Sequence, residues 1–334
     1  MTVEMCGYRS ANGGGKYEKR AIRTARVGRR PSSVLDYGDD CDPHVAAMNA
    51  ATTRPARSGG MPVERANGGA RVAFAFRDGA TRLADLYQRD PCRVLFPTPA
   101  PGDPPEAAIL TTSGGLADGD RIVLDIAVGA GATATVTTSA AEKIYRAALD
   151  SREVGIDVTL DVGAAATLEW LPQETIVFDA ARLARKTVVD LAPDARLLAC
   201  ESLALGRSAS GERFTRGFVL DSWRLRRGGK PVWADALRLD GPPPPAPGFG
   251  DANALATVLL VLPTLDDSLR DTARAVLEPF EDAVRCGVSC VSGVLIARLL
   301  GDSTGVRRAL VRLLVEMRHR AFGLPSRLPR VWHT

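Results

Sequence analysis

Asp-Ile-Ala-Val-Gly-Ala-Gly-Ala-Thr-Ala-Thr at 125–135 returns as Asp-Val-Thr-Leu-Asp-Val-Gly-Ala-Ala-Ala-Thr-Leu at 157–168. A weaker copy, Val-Val-Asp-Leu-Ala-Pro-Asp-Ala-Arg-Leu-Leu, occupies 188–198. Each copy alternates apolar with small or polar residues, breaks at a glycine or proline, and resumes the alternation. That is strand, tight turn, strand. The turn positions Gly129, Gly163 and Pro193 are 34 and 30 residues apart. Such a unit repeated about every 30 residues predicts stacked β layers, each burying the apolar face of the next. One meandering antiparallel sandwich is the alternative reading of the same pattern.

The β texture extends outward from Glu106 to Trp233. Its strand-like runs are 107–112, 121–128, 132–138, 156–162, 166–171, 187–191 and 196–203, rich in β-branched residues and separated by Gly, Pro or Asp turns. Upstream, 71–77 alternates as a half-buried strand and Asp78-Gly79 supplies a turn. The proline run at 242–247 marks a boundary, and the periodicity changes beyond it. Residues 254–262 read as a buried strand and 267–277 as a helix capped by Thr264 or Asp266. A second strand falls within 288–300. Ser303-Thr304 caps a last helix whose Val306, Leu310, Leu313, Leu314 and Met317 form one apolar stripe.

The expected fold class is therefore mainly β: a β-helix-like stack of short strands with a small α/β C-terminal part containing about two helices. The expected division is a disordered extension over 1–64, a β-repeat body over 65–241, a Pro-rich linker over 242–250 and a β-α-β-α part over 251–334 packed on the body. Residues 1–64 lack hydrophobic period and are rich in Gly, Ser, Arg and Asp. Met61 opens Met-Pro-Val-Glu-Arg just before the folded pattern and is a candidate initiator, so residues 1–60 are expected to be dispensable.

Composition narrows the function. With 334 residues, 45% hydrophobic and 25% charged, the chain can bury a full core without metal or disulfide support. The net charge of +4 resides in residues 1–70, which hold 11 basic and 7 acidic side chains; the remainder is neutral at 32 against 32. A neutral body argues against a nucleic-acid protein. The longest apolar run, 253–263, is about half the roughly 20 residues a bilayer span needs. No apolar signal core follows the N-terminal charges, so the chain reads as cytoplasmic. The six cysteines show neither a C-x-x-C nor staple-like spacing.

Motifs for familiar chemistries fail on inspection. Gly129-Ala130-Gly131 fits the start of a dinucleotide loop, but a strand former follows where a helix must hold the pyrophosphate. Gly13-Gly14-Gly15-Lys16 lacks the first glycine and the final Ser/Thr of a phosphate loop, at Ser10 and Tyr17. The three histidines, His44, His319 and His333, form no metal-binding spacing, and no Gly-x-Ser-x-Gly elbow exists. What remains are carboxylates of the β body: Glu142, Glu169, Glu174, Glu201 and Glu212. Paired carboxylates serve as glycosidase acid and base or as oxygen ligands of a passing divalent ion, and each is otherwise a salt-bridge partner or turn residue.

Several phrases, in order, resemble the UreD family (also called UreH) of urease accessory proteins. They are Thr-Thr-Ser-Gly-Gly-Leu-Ala-Asp-Gly-Asp at 111–120, Thr-Thr-Ser-Ala-Ala-Glu-Lys-Ile-Tyr-Arg at 137–146 and Leu-Glu-Trp-Leu-Pro-Gln-Glu-Thr-Ile-Val-Phe-Asp at 168–179. Leu205-Gly206-Arg207, Gly211-Glu212-Arg213-Phe214 and the ending Leu328-Pro329-Arg330-Val331-Trp332 complete the set. The resemblance runs from about residue 66 to the end.

It implies a β-helical body with a small helical C-terminal part, no nucleotide site of its own, and no enzymatic activity. It further implies an accessory role in nickel insertion into apo-urease, as scaffold and nickel conduit in a complex with UreF and the GTPase UreG, to which GTP hydrolysis belongs. No cofactor is expected to be tightly bound; nickel(II) passes transiently. A conduit must release its ion, so spaced oxygens suit it better than a His/Cys trap. The transit candidates are Glu174 first, then Glu142, Gln173, Glu201 and Glu212. Two other readings stay open. One is a β-solenoid carbohydrate-active enzyme using Glu169 or Glu174, against which the scarcity of aromatics weighs (four Trp, five Tyr). The other is a metal-independent β-repeat interaction module.

Overall fold

The computed structural model describes residues 65–148 and 152–333; the expectations for 1–64 lie outside the described residues. The described chain opens with a hairpin, β1 (Asn67–Arg77) and β2 (Ala80–Arg89), turning at Asp78-Gly79 as the sequence indicates, and continues into the short β3 (Cys92–Leu95). Coiling then begins. The strands are β4 (Glu106–Thr111), β5 (Arg121–Val128), β6 (Thr133–Thr138), β7 (Glu142–Ile144), β8 (Val154–Val162), β9 (Thr167–Leu171) and β10 (Thr175–Val177). After them come β11 (Arg182–Leu191), β12 (Arg196–Leu205) and the closing hairpin β13 (Phe218–Arg227) and β14 (Lys230–Asp240). The C-terminal part contains β15 (Ala254–Val261), α1 (Asp267–Leu277), β16 (Val284–Val291), β17 (Val294–Gly301) and α2 (Ser303–Phe322).

The chain alternates between two sheets, so consecutive coils stack strand on strand. In the first sheet β1, β5, β8, β11 and β13 are parallel neighbours, with β2 and β14 as antiparallel edges. In the second, β4, β6, β9 and β12 are parallel, β3 flanks β4, and β15, β17 and β16 extend the sheet beyond β12. This is the stacked arrangement expected from the repeat. Register makes the repeat explicit, since Val128 pairs with Val162 and Val162 with Leu191. Gly129 and Gly163 hold equivalent corners one coil apart, and Ala192, one residue before the expected Pro193, holds the third. Their N–H groups donate to Phe74, Val128 and Val162 carbonyls at 2.8, 2.8 and 2.9 Å. Gly163 is needed for the close approach of the coils: a Cβ there would lie 2.9 Å from the Ala130 nitrogen.

Inward residues stack into apolar ladders. Ile126, Leu160 and Val189 form one and Val128, Val162 and Leu191 another, all buried. Each such side chain contributes about 1.5–3 kcal/mol of burial. The second sheet is covered twice. One face meets the first sheet; the other, with Leu171, Leu198, Cys200 and Leu260, meets Leu277 of α1 and Leu310, Leu313 and Met317 of α2. The expected helical stripe is therefore the face that docks.

Two local features differ from expectation. The segment 288–300 belongs to two strands, β16 and β17, joined at Ser292-Gly293, whose positive φ values of 51° and 77° make a two-residue hairpin turn. The cap of α2 is Asp302, which is extended and accepts from the Thr304 and Gly305 nitrogens at 3.0 Å each. Asp302→Ala is expected to lower stability by about 1 kcal/mol in a urea melt, with Asp302→Ser recovering most of it. Asp266 caps α1. Among the described residues no helix is long and apolar enough to cross a membrane.

Candidate functional site

The apolar ladders of the first sheet break at one level. Ile122 pairs with Ile156, and Ile156 with Arg185, whose other neighbour is Asp221. The next inward position runs Leu124, Val158, Thr187 and Trp223. The third coil thus inserts an arginine and a threonine where earlier coils place aliphatics. Their side chains border a cavity of about 200 Å³ between the sheets, lined also by Trp170, Thr175, Glu201 and, toward its other end, Glu142 and Gln173.

Arg185 organises the buried end. Its Nε and Nη2 donate to Asp221 Oδ1 and Oδ2 at 3.2 and 2.7 Å, its Nη1 to Thr175 Oγ1 at 2.9 Å, and Nη2 reaches Glu201 Oε1 at 2.8 Å. Burial works against the Arg185 charge, and the two carboxylates overcome it. The carboxylates divide unequally. Burial pushes the Glu201 carboxyl well above the usual carboxylate range despite Arg185, whereas Asp221, buried too, is held below it by the Arg185 charge and by hydrogen bonds from Glu201 and Arg185. Thr187 Oγ1 is buried and has no hydrogen-bond partner.

At the other end, adjacent coils bring Glu142 beside the Gln173-Glu174 corner: Glu142 pairs with Thr175, and its N–H donates to the Glu174 carbonyl at 3.0 Å. Glu142 Oε2 accepts from Thr111 Oγ1 at 2.9 Å and Oε1 from the Lys143 nitrogen at 3.1 Å. Burial still raises its carboxyl above the ordinary value, outweighing these bonds. Gln173 is clamped. Its Nε2 donates to the carbonyls of Thr138 and Val331 at 3.3 and 2.9 Å, and its Oε1 accepts from Arg307 Nη2 at 3.2 Å. Cys92 lines the cavity, but burial pushes its thiol up to about 11, which keeps it protonated at neutral pH. The ready donors of the cavity are therefore oxygens.

Of the residues singled out in the sequence, the structure brings Glu142, Gln173 and Glu201 to one cavity. Glu174 is adjacent but engages Arg307 of α2 in an ion pair. Glu212 lies elsewhere, accepting from Arg207 Nε at 2.8 Å. Glu169 points to the opposite face of its sheet, where Arg318 Nε and Nη2 donate to it at 2.9 and 3.0 Å. Glu169 and Glu174, both occupied by arginines of α2, therefore do not present the open acid–base pair a glycosidase requires. Arg185, Thr187, Asp221 and Arg307 were not singled out. The alternation Leu183-Ala184-Arg185-Lys186-Thr187-Val188-Val189 carried a signal for two of them, because it puts Arg185 and Thr187 on the inward side with Leu183 and Val189. Among the described residues no three His, Cys, Asp or Glu side chains converge as a metal cluster.

The family model described as UreD urease accessory protein matches residues 66–333. Urease accessory protein UreD 2 of Methylorubrum populi is 41% identical over 297 residues, covering 86% of this chain and 96% of its own. Urease accessory protein UreD of Magnetococcus marinus is 37% identical over 300 residues, with 85% and 99% covered, and that of Azorhizobium caulinodans is 42% identical over 275 residues, with 80% and 97% covered. These relatives are named as accessory proteins rather than enzymes. Matched along nearly all of its described length, the chain belongs to the UreD family of urease accessory proteins.

Proposed function

We propose that this protein serves urease maturation in the cytoplasm by passing nickel(II) toward apo-urease along the cavity between its sheets, within a complex with UreF and UreG. The observation that carries this reading is the donor set. Glu142, Gln173, Thr175, Thr187 and Glu201 offer spaced oxygens, and the one thiol among them is held protonated. Nickel(II) meets enough oxygen to shed some of its water, yet no cluster among the described residues that would retain it. Glu142 is the entry-side ligand, Gln173 a positioned carbonyl beside it, and Glu201 the deep carboxyl. Glu174 acts at one remove, by holding Arg307 and with it the Gln173 amide. Glu212, engaged by Arg207, takes no part in this route.

Glu142→Gln tests the relay. It preserves shape and removes the charge, and nickel per urease after maturation with UreF and UreG present is expected to fall several-fold while the complex still forms. Stability gives an independent control. Because burial raises the Glu142 carboxyl above its unfolded value, wild-type stability declines as pH rises from the unfolded pKa through the folded one. The variant escapes that decline, so at neutral pH it is expected to melt no lower than wild type, and its advantage vanishes in acid. Undiminished nickel loading in Glu142→Gln refutes this entry residue.

A further inference from the structure

Where the first sheet turns polar, one arginine nitrogen sits at the point on which two carboxylates converge. Arg185 Nη2 is 2.8 Å from Glu201 Oε1 and 2.7 Å from Asp221 Oδ2. Glu201 and Arg185 line the cavity, while Asp221, on the neighbouring strand and held by Arg185, does not. Thr187, two residues along the same strand and so on the same face, lines the cavity too, with its buried hydroxyl unpartnered. A buried hydroxyl left unpaired in a folded protein calls for a reason, and a ligand that comes and goes supplies one.

We propose that Glu201, Asp221 and Thr187 form an oxygen-donor station for a divalent cation, and that Arg185 is its resident counter-ion, filling the station so that a passing cation is not trapped. Two carboxylates and a hydroxyl are hard oxygen donors of the kind that bind divalent ions. With the guanidinium in place, an arriving ion meets only Glu201 and Thr187. To gain Asp221 it must displace Arg185, which stays nearby through Thr175 Oγ1 (2.9 Å from Nη1), repels the ion, and returns to Asp221 as the ion leaves. No covalent bond changes; water leaves the ion on entry and rejoins it on exit. Arginine suits this role better than lysine because its planar fork grips Asp221 bidentately while also reaching Glu201 and Thr175. The identification of the passing ion as nickel(II) rests on the relay reading above; the station itself does not.

Equilibrium dialysis of nickel chloride against the purified full chain tests the proposal. Arg185→Met is expected to bind nickel about tenfold more tightly than wild type, the equivalent of ~1.4 kcal/mol of competition removed. Adding Asp221→Asn in the same chain is expected to abolish that gain. A folded Arg185→Met protein that binds no more tightly than wild type, or a gain that survives Asp221→Asn, overturns the proposal. If circular dichroism shows Arg185→Met unfolded, Arg185→Lys takes its place: a shorter grip should give a smaller gain in the same direction, and no gain overturns the proposal. The relay can fail separately. Nickel trapping by Arg185→Met beside normal loading in Glu142→Gln keeps the station and removes the relay; the reverse pair of results does the opposite.

Discussion

Arg318→Leu is expected to lower the stability of the folded chain by about 3–5 kcal/mol, among the largest single-residue effects in the molecule. Arg318 is 1% exposed and Glu169 0%, so the pair is fully removed from water between the second sheet and α2. Glu169 accepts from Arg318 at 2.9 and 3.0 Å and from Thr135 Oγ1 at 2.6 Å. The same guanidinium ties down the C-terminal segment by donating to the carbonyls of Pro325 and Arg327, and it pairs with Asp103 at 3.3 Å. Leucine removes every one of these donors and leaves a carboxylate buried without a counter-charge. Chemical denaturation measures the loss, and the double variant Arg318→Leu with Glu169→Leu discriminates its origin. If the uncompensated charge dominates, the double variant recovers much of the stability. A single variant within about 1 kcal/mol of wild type contradicts the assignment, since that is the range of an exposed pair.

The same pair shows where sequence reading stops. Within 167–171 the alternation puts Leu168 and Trp170 on one side and Glu169 on the other, and a charged residue on the polar side of a strand normally means solvent. Here that side is roofed by α2, so both faces are buried. Arg318 sits among Arg312, Arg320 and His319 in the basic half of α2 and looks solvated for the same reason. Period two identifies one buried face and is silent on a second. By contrast, the coil repeat was legible because its physics is local: small corner residues and period-two ladders recur about every 30 residues, and the register of Val128, Val162 and Leu191 follows from them. The hairpin over 284–301 was missed although Ser292-Gly293 is a turn dipeptide. Its strands, with Val288, Leu295, Ile296 and Leu299, merge into one apolar run when the break is overlooked.

The candidate site divides in a similar way. Residue types that suit a passing divalent ion were evident, and Glu142, Gln173 and Glu201 share the cavity because adjacent coils bring their strands together, Glu142 pairing with Thr175 and Thr175 with Leu203. What spacing could not supply is the counter-charge. Arg307 comes to Glu174 from 133 residues away and Arg185 reaches Asp221 across two neighbouring strands, so neither partner lies within a local window. Whether a carboxylate faces a cavity or an arginine depends on these distant partners, which is why Glu174, first among the sequence candidates, is found paired with Arg307 rather than lining the cavity.

Trp332→Ala carries the second large effect, an expected loss of about 3–5 kcal/mol from emptying a buried indole site. Trp332 is 4% exposed, three residues from the C-terminal side of Pro329, in a chain end otherwise without regular sheet or long helix. Its Nε1 donates to Thr137 Oγ1 and the Leu171 carbonyl at 3.2 Å each, and Arg307 lies 5.3 Å above its ring. The indole therefore pins the chain end to the second sheet beside the cavity. Around it, the Trp332 carbonyl accepts from Arg307 at 3.0 Å and the Val331 carbonyl from Gln173 at 2.9 Å. Removing the ring should release these contacts together, so amide exchange is expected to rise at Gln173 and Glu174 as well as over 328–333. Trp332→Phe separates packing from polarity. It keeps most of the apolar contact and loses only the Nε1 donor, for about 1 kcal/mol. Equal losses in the two variants would assign the anchor to hydrogen bonding. A stable Trp332→Ala protein with unchanged exchange at Gln173 would show that the chain end does not hold the cavity wall, and the Gln173 amide would then owe its position to Thr138 and Arg307 alone.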